Sequence, residues 1–195
     1  RAVAMAAEGL TPKKVITPAA VRNALRVLQA IGGSTNGLIH MTAMAGRLGI
    51  RVDLDAFDEL GRDIPVLVDL KPSGQYYMED LHRAGGLAPV LRELRDHLEL
   101  DTLTVTGRTL GEEIDSLIPA YPQDVVKTVH APLYPGGGMV ILRGNLAPDG
   151  AVIKQSAANP NLLSHEGRAL VFSSLEDMAA RVDAPDLDVT PDDVI

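Results

Sequence analysis

The spacing of apolar residues changes near residue 98, and this change constrains the fold more than any other feature of the chain. Upstream, as in residues 18–31, apolar side chains recur every three or four positions, which is the pattern of amphipathic helices. Downstream, β-rich runs alternate with Gly/Pro turns; these runs are residues 102–106, 139–142, 151–154 and 168–172. We therefore predict an α/β protein with a helical part, residues 1–97, and a strand-dominated part, residues 98–195.

Local signals place individual elements within this outline. A helix is expected to begin at Pro18 with Thr17 as its N-cap, and a second helix to begin at Ser34 and end at Gly49. Residues 65–68 resemble a buried strand, and residues 77–84 and 89–97 a pair of helices. One helix should interrupt the strand-rich part, with a capping box at residues 173–176 and a buried stripe formed by Leu175, Met178, Ala179 and Val182.

Composition narrows the range of partners and cofactors. The formal net charge of −8 argues against binding to nucleic acids or anionic membranes, so small molecules or proteins are the expected partners. The absence of cysteine excludes disulfides and thiolate metal ligands within this chain. No run approaches the roughly 20 apolar residues of a membrane span, and the start lacks the layout of a signal peptide, which predicts a cytoplasmic protein. The sequence opens in what reads as the middle of an Ala-rich helix and closes in what reads as the approach to another strand. We therefore expect both ends to be incomplete secondary-structure elements.

The stretch Gly32-Gly33-Ser34-Thr35-Asn36 is the strongest local candidate for a binding site. Two glycines permit a sharp turn, and three small polar residues follow at a helix start, where free N–H groups and the helix dipole favour an anion. Asn36 and His40 lie four positions apart and would share a helix face. The alternative is structural: Ser34 caps the helix, Asn36 bonds to a neighbouring turn and His40 is a satisfied core histidine.

Two later segments offer weaker candidates. Glu79, Asp80 and His82 suggest a metal or an acid–base pair, but adjacent residues diverge on a helix, and a Glu79–Arg83 ion pair on a solvated face is the better interpretation. Residues 135–138 read as a turn whose backbone must pass close to something, and not as a phosphate loop, because no P-loop lysine follows the glycines and no helix begins after them. Arg143 and Lys154 are possible anion ligands, although a solvated lysine is commoner.

Three long motifs, in matching order and spacing, strongly resemble the dihydroxy-acid dehydratase and phosphogluconate dehydratase superfamily. They comprise residues 30–40, then residues 71–74 with 78–80 and 84–86, then residues 142–154. The similarity covers essentially the whole chain. Residues 156–172 look more like members that act on sugar acids, such as arabinonate or xylonate, with the branched-chain biosynthetic enzymes as the alternative.

The resemblance implies a hydro-lyase that converts a 2,3-dihydroxy acid to a 2-keto-3-deoxy acid with an iron–sulfur cluster, Mg²⁺ and a serine base. It places the cluster cysteines and most Mg²⁺ ligands before Arg1, and the glutamate ligand and catalytic serine after Ile195. No catalytic or metal-binding residue is therefore assigned in this chain; Ser34, Thr35 and Asn36 are the predicted substrate-binding residues.

The implied architecture is the helical end of a cluster-binding α/β domain, residues 1–97, followed by the first part of a swivelling, β-barrel-like domain, residues 98–195. A homo-oligomer is expected by analogy. The competing interpretation is a non-catalytic structural segment that exists alone and binds no cofactor.

Overall fold

The computed structural model describes residues 1–118 and 122–195. Helices are α1 Ala2–Ala7, α2 Pro12–Val15, α3 Pro18–Ala30, α4 Thr35–Arg47, α5 Leu54–Arg62, α6 Met78–Arg83, α7 Ala88–Glu93, α8 Leu110–Asp115 and α9 Leu175–Arg181. Strands β1 Val140–Leu142 and β2 Ala151–Ile153 pair antiparallel, and 3-10 turns occupy Arg95–His97, Gln155–Ala157 and Pro160–Leu162. The described residues separate into two compact units, residues 1–157 and residues 158–195.

The helix starts predicted from local signals are confirmed. Helix α3 begins at Pro18, and the Ala20 N–H donates to Thr17 Oγ1 at 3.2 Å. Gly32, at a left-handed φ of +54°, follows this helix, and Ser34 is the N-cap of α4. The expected pair of helices at residues 77–84 and 89–97 is also present, as α6 and as α7 with its following 3-10 turn.

Two apolar clusters form the interior of the first unit, and α3 contributes to both. One cluster consists of Ala30, Ile64, Leu67, Val68, Leu81, Ala84, Val90, Leu94, Leu98, Ile114, Val125 and Val126. The other consists of Val21, Leu25, Leu38, Ala45, Phe57 and Met139, with Ile141 and Val152 of the two strands packed against it. The β1–β2 pair is thus attached to the helices through apolar burial.

A fully buried glutamine fixes where β1 starts. The side-chain amide of Gln29 donates to the Met139 carbonyl at 2.9 Å and accepts the Met139 N–H at 2.7 Å. In addition, Asp58 Oδ1 accepts the Ile141 N–H at 2.9 Å. These bonds satisfy backbone groups that no strand of residues 1–118 or 122–195 pairs with on that side, so α3 and α5 together position the strand pair.

The glycine-rich turn before β1 passes close to other backbone, as the sequence predicts. A Cβ on Gly136 would collide with the Arg62 carbonyl oxygen, and one on Gly138 would lie 2.7 Å from the Gln29 carbonyl oxygen. Any side chain here would therefore push the strand pair away from the helices.

The prediction of a strand at residues 102–106 is wrong. The chain reverses at Gly107, where φ is +91°, and the Thr104 N–H donates to the Arg108 carbonyl at 2.8 Å. The Thr104 and Thr106 hydroxyls lie 2.7 Å apart, so threonines that resembled strand residues stabilise a tight turn instead. Residues 65–68 form isolated bridges through Val66 and Val68 rather than a regular strand.

In the second unit the predicted helix is present, but two of its details differ. The Asp177 carboxylate, not that of Glu176, accepts the Ser173 N–H, at 2.9 Å, while Ser174 Oγ accepts the Asp177 N–H. The stripe expected to be buried is exposed: Leu175 is 74% accessible. The run 168–172 contributes one bridge, Ala169 to Val194, in place of a strand.

An ion pair holds the end of the second unit. Arg168 Nη2 lies 2.8 Å from Asp193 Oδ2, and the same guanidinium reaches Asp188 at 2.7 Å. The hydrogen bond from Arg168 lowers the pKa of Asp193 to about 2. The bridge and this ion pair tie residues 168–169 to residues 193–194.

The mixed helix and strand content agrees with the predicted α/β class. Within residues 1–118 and 122–195 the paired strands form a two-stranded antiparallel sheet, which does not amount to a barrel. No helix of the described chain is long and apolar enough to cross a membrane.

Candidate functional site

A cleft of about 730 Å³ opens on the first unit where three separate parts of the chain meet. They are the α3–α4 connection, the segment from residue 70 to residue 87 that contains α6, and the residue after β2. The cleft is lined by Ile31, Gly32, Gly33, Ser34, Thr35, Leu70, Lys71, Pro72, Met78, Leu81, His82, Gly86, Leu87 and Lys154. Each of the three sequence motifs therefore contributes to one concave surface.

The start of α4 presents hydroxyl groups to this cleft. Ser34 Oγ accepts the Asn36 N–H at 3.2 Å, and the Ser34 carbonyl accepts the Gly37 N–H at 2.8 Å. Thr35, half-buried, also lines the cleft. Ser34 is thus both the helix cap and a wall of the cleft, so the two interpretations of this stretch coexist.

Asn36 and His40 are placed differently from Ser34 and Thr35. Both are exposed, and neither is among the residues that line the cleft. His40 is therefore not a core histidine. The predicted substrate-binding stretch splits into two residues at the cleft wall and one, Asn36, beside it.

Lys71 reaches a partner on the cleft rim. Its Nζ donates to the Tyr77 hydroxyl at 2.7 Å and lies 4.2 Å from the centre of the Tyr77 ring. This combination of hydrogen bond and cation–π contact holds the ammonium at the rim. Lys71 adds positive charge but has its own protein partner.

Helix α6 turns one face to the cleft and the other to solvent. Leu81 is buried in the first apolar cluster, and its neighbour His82 lines the cleft. Glu79 and Arg83 form an i,i+4 ion pair with both side chains about 70% exposed, which confirms the solvated-face interpretation of this segment. The Asp80 carboxylate accepts the Tyr77 N–H at 2.8 Å and caps the helix.

Lys154 is the cation that enters the cleft from the strand pair. It directly follows β2, is half-buried, and burial lowers the pKa of its ammonium. Arg143, the other predicted anion ligand, is elsewhere: its Nε donates to Asp55 at 3.1 Å and its Nη1 to the Pro148 carbonyl. The structure therefore separates the two candidates and leaves Lys154 at the cleft.

The charge of the cleft is opposite to that of the chain. Two lysines and one histidine line it, while no aspartate or glutamate does so in the part of the chain that the structure describes. The chain as a whole has a formal charge of −8. A cationic cleft with hydroxyls and a helix N-terminus suits a small anion such as a carboxylate.

A second, smaller cavity of about 110 Å³ adjoins the cleft and shares Ile31, Gly32 and Leu70 with it. Ser156 Oγ, in its wall, is buried and has no hydrogen-bond partner among the described residues. A Cβ on Gly32 would lie 3.7 Å from this oxygen. An unpaired buried hydroxyl costs stability, so this side chain is a weak point of the fold.

We expect Ser156→Ala to stabilise the protein by about 1 kcal/mol, since it removes a buried group without a partner. Thr102→Val is the matched control, because the Thr102 hydroxyl donates to the Glu99 carbonyl at 3.0 Å and its loss should lower the melting temperature. Thermal unfolding of both variants checks the opposite signs. A lower melting temperature for Ser156→Ala would show that the hydroxyl is paired in solution.

Several cleft residues were not singled out as binding residues from the sequence. Lys71, Met78 and Gly86 lie within motifs that carry the family resemblance, so motif membership was the available signal. Leu87 and Leu81 had no such signal beyond helical spacing. Together with Ile31, Leu70 and Met78, their apolar side chains make most of the cleft surface hydrophobic.

Comparison with protein families gives two matches that together span most of the chain. Residues 1–113 match the model of the dihydroxy-acid/6-phosphogluconate dehydratase N-terminal domain, and residues 124–195 match that of the C-terminal domain. The junction between the matches lies at residues 114–123, outside the three motifs that build the cleft.

Similar curated proteins are named as dehydratases of two kinds. L-arabinonate dehydratase of Rhizobium leguminosarum is 46% identical over 191 residues, which are 97% of this chain and 33% of that protein. L-arabonate dehydratase of Azospirillum brasilense is 46% identical over all of this chain and 34% of that protein. Dihydroxy-acid dehydratase of Methanococcoides burtonii is 43% identical over 91% of this chain and 32% of that protein. The chain thus spans about a third of the length of these relatives.

Proposed function

Because the chain belongs to the dihydroxy-acid/6-phosphogluconate dehydratase family, we propose that the whole enzyme is a hydro-lyase acting on a 2,3-dihydroxy sugar acid. The observation that carries this proposal is the cationic cleft, because three family motifs far apart in sequence meet there. A family resemblance by itself indicates the fold. A cleft built from the family's motifs also indicates where a substrate binds.

The proposed reaction removes a proton from C2 and the hydroxyl from C3 of the substrate. The resulting enol takes up a proton at C3 as its C2 hydroxyl becomes a ketone, which gives a 2-keto-3-deoxy acid and one water. In this proposal Ser34 and Thr35 bind substrate oxygens, with Asn36 beside them, and the positive end of α4 attracts the negatively charged substrate to the cleft. The chain's part is to bind and orient.

The iron–sulfur cluster and Mg²⁺ that the resemblance implies do not fit the residues of this chain. It contains no cysteine, and its described residues include no cluster of three or more His, Asp or Glu that could hold a metal ion. We therefore propose that both cofactors belong to the whole enzyme and assign none of their ligands, and no step of the chemistry, to residues 1–195.

Two substrate classes compete for the cleft. Sugar acids are favoured by the hydroxyls of Ser34 and Thr35 and by the names of the two relatives that are 46% identical. A branched-chain dihydroxy acid is the second candidate, because Leu70, Leu81 and Leu87 line the same cleft with apolar surface. A site built to hydrogen-bond several hydroxyls should discriminate strongly against the apolar substrate.

A substrate panel on the full-length, cofactor-loaded enzyme tests this function. We expect kcat/KM for L-arabinonate or another aldonate to exceed that for 2,3-dihydroxyisovalerate by about 100-fold or more. Formation of 2-keto acid is the measured quantity. Comparable values for the two classes would contradict the sugar-acid proposal, and no 2-keto acid from either would contradict the hydro-lyase.

The proposal also covers the two domains to which the chain contributes, the cellular location and the oligomeric state. We propose that residues 1–97 end a cluster-binding α/β domain and that residues 98–195 begin a swivelling, β-barrel-like domain, which the antiparallel β1–β2 pair supports. A cytoplasmic location and a homo-oligomeric enzyme rest on composition and on family resemblance.

A further inference from the structure

Of the two lysines that line the cleft, Lys71 has a partner in Tyr77, whereas Lys154 has none among the described residues. Its ammonium makes no ion pair and no hydrogen bond with residues 1–118 or 122–195, and no carboxylate of those residues lines the cleft around it. Arginines 22, 26, 62, 95 and 143, by contrast, all lie within 4 Å of an acidic side chain. Lys154 is therefore a cation placed in a cleft without the anion that would compensate it.

The environment of Lys154 makes the missing anion energetically important. The side chain is half-buried, and the loss of hydration disfavours its charged form, which lowers the pKa of the ammonium. Charged groups removed from water are normally paired, because an opposite charge offsets the lost hydration. A bound anion would offset the lost hydration and raise the pKa of this ammonium again.

Lys71, the second lysine of the cleft, does not have this property. It is exposed, and Tyr77 already supplies a hydroxyl at 2.7 Å and a ring face at 4.2 Å. Binding an anion at Lys71 would have to compete with these contacts, whereas at Lys154 it would displace no protein group.

The backbone on either side of Lys154 is held in regular structure. β2 pairs with β1 in the register Val140 to Ile153, and the 3-10 turn Gln155–Ala157 follows immediately. The strand pair is itself held by Gln29 through Met139. A lysine whose flanking backbone is ordered in this way loses less backbone freedom on binding than one on a mobile loop.

We propose that Lys154 binds the carboxylate of the substrate and is the residue by which the cleft distinguishes an acid from a neutral polyol. This inference rests on the proposed function for the identity of the acid. With the carboxylate at Lys154, the hydroxyls of Ser34 and Thr35, which line the same cleft, are available for substrate hydroxyls.

The test compares Lys154→Met with Lys71→Met in the full-length, cofactor-loaded enzyme. Methionine keeps the length and packing of the lysine stem but removes the charge. L-arabinonate and the neutral L-arabinitol are the two probes. Their apparent affinities are measured from the dependence of the melting temperature on probe concentration, and kcat and KM for L-arabinonate are measured in parallel.

We expect Lys154→Met to weaken L-arabinonate binding by about 10- to 100-fold, with a rise in KM of the same size, as expected for losing a charged hydrogen bond. L-arabinitol affinity should change by less than about threefold in either variant, and Lys71→Met should change L-arabinonate affinity by less than about fivefold. Equal losses for both probes, or unchanged L-arabinonate binding, would overturn the assignment.

The outcomes also separate this inference from the proposed function. If the enzyme binds L-arabinonate through Lys154 but forms no 2-keto acid from any substrate of the panel, the inference on Lys154 stands and the proposed function is contradicted. If the Lys154→Met variant dehydrates L-arabinonate as well as the wild type does, the proposed function stands and the inference on Lys154 is contradicted. Absence of L-arabinonate binding in the wild type would overturn the inference directly.

Discussion

Replacing Gln29 by leucine is expected to lower the free energy of unfolding by about 2–6 kcal/mol. Leucine fills similar space, but the N–H and carbonyl of Met139 would both be buried without partners, and each such group costs about 1–3 kcal/mol. The Gln29 side chain has no accessible surface, so water cannot replace the lost bonds. Chemical denaturation of wild type and variant measures the difference.

Gln123→Leu is the matched control for this experiment. The Gln123 amide makes the same reciprocal pair of bonds, to the N–H and carbonyl of Val126, each at 2.8 Å. Gln123 is only half-buried and its partner is three residues away, so we expect a loss of about 1 kcal/mol. Equal losses in the two variants would show that burial of the Gln29 amide is not what stabilises the strand pair.

The importance of Gln29 could not be predicted from the sequence. On an amphipathic helix a glutamine is normally assigned to the solvent face, and the local pattern of α3 gives no sign that β1 packs against it. Only the long-range contact with Met139 reveals its role. The same holds for Asp58, whose carboxylate accepts the Ile141 N–H.

Features encoded within a few residues were predicted correctly. Thr17-Pro18 specified the start of α3, and the paired glycines before Ser34 specified the turn into α4, because capping and left-handed backbone are local properties. The glycines at residues 136–138 were expected to pass close to something, and the structure shows that it is the backbone of Arg62 and Gln29.

Features that depend on a distant partner were predicted less well. The threonines at residues 102–106 alternate as in a strand, yet their hydroxyls stabilise a turn at Gly107. The stripe of α9 was expected to be buried, but Leu175 is exposed in the second unit. The periodicity of a strand or of an amphipathic helix specifies an apolar face that can be buried. Whether that face is buried depends on which other segments of the chain pack against it.

The candidate site shows the same division between local and distant information. The sequence located the polar start of α4 and suggested Lys154 as an anion ligand together with Arg143. It could not show that Arg143 pairs with Asp55 while Lys154 lies at the cleft. The convergence of the three motifs, which carries the functional proposal, is a tertiary feature.

Alanine substitutions at Ser34, Thr35 and Asn36 are expected to have three different outcomes in the full-length enzyme. Thr35→Ala should lower kcat/KM about tenfold or more with little change in melting temperature, because Thr35 lines the cleft but caps nothing. Ser34→Ala should lower both, since it also removes a helix cap of about 1 kcal/mol. Asn36→Ala should show the smallest kinetic loss, because Asn36 is exposed beside the cleft.

Thr17→Ala provides the control that separates capping from binding. Thr17 caps α3 through the Ala20 N–H as Ser34 caps α4, but it does not line the cleft. It should therefore lower the melting temperature by a similar amount and leave steady-state kinetics unchanged. If Ser34→Ala and Thr35→Ala behave like Thr17→Ala, with earlier melting and normal turnover, the start of α4 is only a helix cap. Substrate binding would then have to be assigned to the other walls of the cleft.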